Sequence, residues 1–384
     1  MKRVLCFVLL FLSLLLSLTP HAYADEADEE SILGELPEEY AALLDALPKD
    51  LLERLPDGLY STSPQEVGVA VGKITDFSFL LSTLFELLGA ELGSTVALLG
   101  SLIGILLLSA IISALRESFG SEGIKSAFSL CSALVLCSLL LTKGYGMLQE
   151  CVAFFSSLNS LCAAMLPLVC VLYTLGGNLG AGAASATGLS IYMTLLEELV
   201  GKSILPFCVL CTVMALVTAL CPQIRLSTLL STVKKNYTTL LSFLMMLLLA
   251  VLSTQTLLSA GSDTLAMRSA RFAAGSVLPV VGGSIGELLR TVTAGVGYLR
   301  STLGICAVIL VLLTLLPTLV RLFLFRLVWQ IGASIAELLG CMTEKKLLDE
   351  FASLCGYLLS AVCICSSVLL LSLTTLVRCT SAIG

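Results

Sequence analysis

Val96-Ala97-Leu98-Leu99-Gly100-Ser101-Leu102-Ile103-Gly104-Ile105-Leu106-Leu107-Leu108-Ser109-Ala110-Ile111-Ile112-Ser113-Ala114-Leu115 carries no charge and is closed by Glu91 on one side and Arg116 on the other. A helix of that length rises about 30 Å, the thickness of a bilayer's hydrocarbon core, so this segment reads as a transmembrane helix. The composition agrees. Of 384 residues, 57% are hydrophobic and only 12% charged, and the mean hydropathy is +1.03. An ordinary soluble domain is about 25% charged. A soluble globule of this composition would lack the polar residues to cover its surface, so the apolar excess must face lipid.

Upstream of that run, Lys2 and Arg3 precede an apolar stretch at 4–18, and Ala22-Tyr23-Ala24 ends just before an acidic cluster opening at Asp25. At about 15 residues the stretch is short for a span, and the small-x-small site fits cleavage, so 1–24 is expected to be a signal peptide. The only histidine, His21, falls within it. A mature chain without imidazole has no His-based catalytic triad, His-ligated zinc or haem, or His proton relay.

Residues 25–66 form an acidic leader. Between Asp25 and Asp57 there are 12 acidic residues against Lys49 and Arg54, and Pro37, Pro48, Pro56 and Pro64 punctuate the leader. One or two short amphipathic helices on the extracytoplasmic face are expected there, either as a solubilising segment or as a docking surface. The net charge of the whole chain is −6 with no polybasic stripe, which removes the electrostatic footprint of a nucleic-acid binder.

Beyond the leader, Lys73, Asp76, Glu86 and Glu91 leave one polar face on 67–95, as in an amphipathic helix lying in the interface. The polytopic domain is expected over 96–384. After 96–115 its candidate spans are 127–142, two helices within the uncharged 151–196, then 204–221, 240–258, 302–320 and 354–377. The fold class is therefore all-α, a polytopic integral membrane protein with about seven to eight transmembrane helices. A leader outside puts Arg116 and Lys125 in the cytoplasm, and Arg225, Lys234 and Lys235 return there. Arg268, Arg271, Arg290 and Arg300 would then fall outside unless 273–289 re-enters or crosses the membrane.

Fifteen cysteines in a chain with a secretory leader raise the question of disulfides. Cys131, Cys137, Cys162, Cys170, Cys208, Cys211, Cys306, Cys363 and Cys365 fall inside expected helices, where cysteine is a small apolar packer. Cys208-Val209-Leu210-Cys211 has redox spacing but no thioredoxin-like context. Ionisable groups at membrane depth are functional candidates. Arg321 and Arg326, five apart near the end of a span, read as snorkelling side chains. Glu287 stands out. It follows Leu278-Pro279-Val280-Val281-Gly282-Gly283-Ser284-Ile285-Gly286 in an apolar segment, the pattern of a broken or re-entrant helix. Leu166-Pro167 followed by Gly176-Gly177 has a similar grammar, and paired interrupted helices mark substrate sites in permeases.

No glycine-rich phosphate loop ending in Gly-Lys-Ser or Gly-Lys-Thr is present, and neither a serine nor a paired-aspartate intramembrane protease can be assembled. No enzyme activity, cofactor or metal site is expected. A channel or scaffold component and an autonomous permease with a broken-helix site remain the two readings.

Arg271-Phe272-Ala273-Ala274-Gly275-Ser276 running into Leu278-Pro279-Val280-Val281-Gly282-Gly283, then Glu287, Tyr298-Leu299-Arg300 and Gly304, resembles the central signature of the stage III sporulation protein AE family. The leader, the acidic juxtamembrane region and the Pro167 helix with its glycine-rich break follow the family's order over nearly the whole mature chain. One departure is Glu287, where the family favours aspartate. The resemblance implies a polytopic subunit of the mother-cell membrane around the forespore. There it would act with other stage III A proteins and a forespore membrane partner in a secretion-like channel that sustains late forespore gene expression.

Overall fold

The computed structural model describes residues 38–116, 122–175, 179–220, 228–250 and 282–381. The expected signal peptide, Pro279 and residues 273–281 of the possible re-entrant segment lie outside them, as do Gly176 and Gly177. Among the described residues all regular structure is helical.

The leader folds as α1 (Glu38–Asp45) and α2 (Lys49–Leu52), then a 3₁₀ turn at Asp57–Tyr60. Apolar residues recur at three and four spacings through Tyr40, Leu43, Leu44, Leu47, Leu51, Leu55 and Leu59, and all of these are buried. Next, α3 (Pro64–Thr75) buries Val67, Ala70, Val71 and Ile74 by the same rule and stops at Asp76, whose backbone turns extended.

The long helices follow: α4 (Phe77–Arg116) and α5 (Glu122–Leu175), then α6 (Leu179–Leu195) running into a π-helical turn at Leu196–Gly201. After α7 (Ile204–Leu220) comes α8 over residues 228–250, then α9 (Gly282–Leu338) and α10 (Met342–Ser381). The segment expected as one interfacial helix over 67–95 is thus divided at Asp76, and its second part continues into the Val96–Leu115 run as a single helix.

Among the described residues four helices are long and apolar enough to cross a membrane: Ser78–Ile112, Leu134–Val171, Thr302–Leu338 and Met342–Leu371. Two features set these described helices apart from the seven to eight expected spans. Runs 127–142 and 151–175 are one continuous helix, because the interruption from Lys143 to Glu150 contains no proline and its glycines do not break α5. Pro167 and Pro317 are likewise carried inside helices. Secondly, α6 and α7 have 17 residues each, short of the roughly 20 that a span needs; only residues 240–250 of the expected 240–258 span are described.

Residues 303–315 of α9 are buried on nearly every side, as expected for a central helix that is apolar all round. α10 lies antiparallel to α9 through a tight hairpin. There the Cys341 N–H donates to Ala336 O at 2.8 Å and the Gly340 N–H to Glu337 O at 3.1 Å, around Gly340 at φ +75°. That pair of bonds is a Schellman cap, which needs the left-handed conformation glycine adopts cheaply. Trp329, 1% exposed, is fixed in the hairpin by an edge contact with Phe351, centroids 6.5 Å apart. Outer faces present Phe85, Leu108, Ile111, Phe243 and Met246, the side chains lipid would meet.

Candidate functional site

Three polar nodes tie the apolar helices together. In the first, Arg321 of α9 places Nε 3.0 Å from Glu91 Oε1 of α4, with Nη2 on the same oxygen, and Nη1 lies 2.8 Å from Glu150 Oε1 of α5. The planar fork of arginine is what allows one side chain to serve two carboxylates on two helices. Arg321, expected to snorkel, is part-exposed, and two carboxylates on neighbouring helices match its charge.

A second node joins α8 to α10. Lys234 Nζ donates to Glu350 Oε2 at 2.6 Å and to Ser353 Oγ at 3.3 Å, and stands 5.8 Å from the centre of the Tyr357 ring. Its side chain is 3% exposed, against 27% for Glu350. Lys234, expected on the cytoplasmic side, lies within α8, and an acid on another helix matches its charge.

The third node closes the hairpin. Glu344 Oε1 accepts from Ser109 Oγ of α4 and Ser132 Oγ of α5, each at 2.7 Å. Eighteen residues separate Glu91 from Ser109 along α4, and eighteen separate Glu150 from Ser132 along α5, about 27 Å in both. The first and third nodes are therefore spaced by roughly one hydrocarbon thickness.

The leader reaches the same bundle. The Tyr40 hydroxyl donates to Leu59 O at 3.0 Å and sits 4.0 Å from Cys306 Sγ of α9, while Arg54 Nη1 is 3.2 Å from Glu86 Oε2 of α4. Burial raises the Tyr40 phenol well above its ordinary range, with the neighbouring Cys306 adding to the effect.

The residues picked out from sequence are distributed differently. Pro167 is exposed on α5; Gly282, Gly283 and Glu287 lie in the opening turns of α9, where side chains are not described. Gly176 and Gly177 lie outside the described residues; α5 is described to Leu175 and α6 from Leu179. No shared site of these residues is seen among the described residues. Nor do three His, Cys, Asp or Glu side chains converge there as a metal centre would require. Gly201-Lys202-Ser203 closes the π turn, but Leu196 stands where a phosphate loop has its first glycine. The Lys202 ammonium is engaged by Glu198 at 2.5 Å, a bond that raises it above its ordinary range.

The site residues missed from sequence were Glu91, Glu150, Glu350, Ser109, Ser132 and Glu344. Their one legible signal was a charge or hydroxyl beside an apolar run, which reads equally as a helix end.

The model of the family described as Stage III sporulation protein AE matches residues 69–380. A relative, Stage III sporulation protein AE of Bacillus subtilis (strain 168), is 25% identical over 341 residues, covering 88% of this chain and 82% of its own. No solved structure matches. The family match thus runs from α3 through all three polar nodes to the end of α10, and the chain belongs to the stage III sporulation protein AE family.

Proposed function

We propose that this protein is a membrane subunit of a secretion-like channel complex between mother cell and forespore, required for late forespore gene expression. The observation that carries the reading is the family match over 69–380, which takes in the four helices that, among the described residues, are able to cross a membrane. A sporulation role follows from the family. Channel membership, other stage III A membrane proteins and a forespore membrane partner belong to the proposal.

The orientation proposed is leader outside, in the mother-cell membrane. Supporting it, Lys345 and Lys346 follow the α9–α10 hairpin, at the end of the bundle where α4 terminates in Arg116. Arg54 of the leader meets Glu86, twenty-three residues from Ser109 and about 35 Å along α4. Basic residues at one end and an acidic leader toward the other fit the positive-inside rule.

The test is deletion of the gene in the source organism, followed by microscopy of sporulating cells carrying a late forespore reporter and by affinity purification of a tagged copy. Engulfed but small and reporter-dark forespores, with other sporulation membrane proteins co-purifying, are expected. Normal spores, or a chain that purifies alone after gentle extraction, would overturn the reading.

A further inference from the structure

Arg326 lies five residues beyond Arg321 on α9, about 7.5 Å further toward the hairpin, with the helix end at Leu338 about 18 Å beyond it. It therefore sits inside the interval that the first and third nodes bracket. Arg321 and Lys234 are matched there by carboxylates on other helices, whereas no hydrogen bond or ion pair joins the Arg326 side chain to any described residue. Lys143 and Lys235 are also unpaired among the described residues, but both are exposed, and their flexible stems can carry the ammonium to headgroups. Arg326 is half-buried and seated. Its Nη1 and Cζ lie 3.0 and 3.1 Å from the point where a Cβ on Gly356 of α10 would stand, so the guanidinium rests on that glycine. Across the same hairpin Trp329 meets Phe351 and Gly332 meets Leu348, which puts the level of Arg326 near Leu354. The side chain is thus directed across the hairpin at its own depth, and not along the helix toward a bilayer surface.

The surface around this guanidinium is apolar, with Phe323 and Ile331 exposed on α9 and Leu327 half-buried. A charge left uncompensated on such a face is costly in lipid, where ionisable side chains are satisfied by one another and polar ones by neighbouring helices. Lipid phosphates lie at the bilayer surface, away from a guanidinium held at depth. A second copy of this chain at the same depth offers no free carboxylate there. Glu337 and Glu350 are paired with Lys345 and Lys234, and the exposed Asp349 is seven residues nearer the hairpin than Gly356, about 10 Å. We propose that this face docks a transmembrane helix of another membrane protein, one of whose Asp or Glu side chains pairs with the Arg326 fork. The inference rests on the subunit reading above and assigns one of that subunit's interfaces to the α9–α10 hairpin, with Gly356 as the seat that positions the arginine.

The experiment uses the purified full-length protein in phosphatidylcholine nanodiscs, with dye-labelled Leu/Ala transmembrane peptides that carry one central Glu or one central Gln, and reads binding by energy transfer. Wild type is expected to bind the Glu peptide about 5- to 30-fold more tightly than the Gln peptide. Arg326→Leu and Arg326→Gln should each abolish that preference; the second keeps a polar, uncharged side chain and serves if the first fails to fold. Gly356→Leu retains the arginine but fills its seat, and should weaken the preference. Equal binding of the two peptides by wild type would overturn the inference, as would a Glu preference that survives loss of the arginine or filling of its seat. Phosphatidylglycerol that erases the preference when added to the nanodiscs would also overturn it, by assigning the guanidinium to a lipid phosphate. None of these results touches the sporulation phenotype, so failure here and failure of the subunit reading are distinguishable.

Discussion

Lys234 of α8 and Glu350 of α10 form a 2.6 Å ion pair whose lysine is almost wholly enclosed, 116 residues away in sequence from its partner. Two charges that would each end a span if read alone thus hold two helices together. Breaking a buried pair from one side strands the other charge, whereas replacing both partners with apolar groups can be nearly neutral. Glu350→Leu is therefore expected to destabilise by about 3–5 kcal/mol. Lys234→Met should cost less, because Glu350 keeps contact with solvent. The double variant should recover most of the loss. Unfolding temperatures of the four proteins in one detergent check this, and a double variant no better than Glu350→Leu would refute the coupling.

Arg321 supplies a second test, of geometry rather than charge. Arg321→Lys keeps the cation but cannot span Glu91 and Glu150 together. Because the arginine side chain is 40% exposed, solvent screens the node, and the expected loss is about 1 kcal/mol. A cysteine pair reporting on α4–α5 separation should show that distance widening in Arg321→Lys. Unchanged spacing would mean that apolar packing alone holds the two helices.

These nodes also explain which parts of the fold were legible in the sequence. The Val96–Leu115 run is a reliable helix because periodicity, length and flanking charges agree there, and it lies inside α4. The expected glycine-rich break at Gly176 and Gly177 lies outside the described residues, which resume at Leu179 as α6. Runs that read as separate segments proved continuous because Lys143–Glu150 looks like a helix end when read locally, as Arg321–Arg326 does inside α9. Whether a charge ends a helix depends on what faces it, and Glu91, Glu150 and Arg321 meet across intervals of 59 to 230 residues. Glu344 was hidden among Lys345, Lys346, Asp349 and Glu350, a cluster that reads as a solvated face, although Ser109 and Ser132 enclose it.

The leader makes a pH prediction. Tyr40 is buried, and its phenol is raised above the ordinary value near 10. Between the unfolded and folded values the folded leader holds the extra proton, so its stability is complete below about pH 10 and falls as pH rises further. Tyr60 is raised in the same direction, by desolvation and then Asp57, but it is 49% exposed and contributes less. Protease cleavage of the leader should therefore accelerate from pH 9 to 11 in wild type. Tyr40→Phe should lose about 1 kcal/mol at neutral pH with its bond to Leu59 O, and should lose most of the pH response. An equal response in Tyr40→Phe would assign the effect elsewhere.

The α5–α6 hairpin meets its tightest constraint at Gly182, where an added Cβ would lie 2.9 Å from Tyr173 Cβ and 3.9 Å from Cys170 O. Tyr173 Cβ is fixed to the α5 backbone, so the clash cannot be relieved by swinging a side-chain tip; the helices themselves must part. Overpacking of this kind costs about 1–3 kcal/mol. Gly146, also helical, has nothing within 4 Å of the same position, so Gly146→Ala should stabilise by up to about 1 kcal/mol through helix propensity. Opposite shifts in unfolding temperature are thus expected from the same chemical change at two glycines. If Gly182→Ala were neutral, α6 would not pack against Tyr173 as closely as this geometry requires.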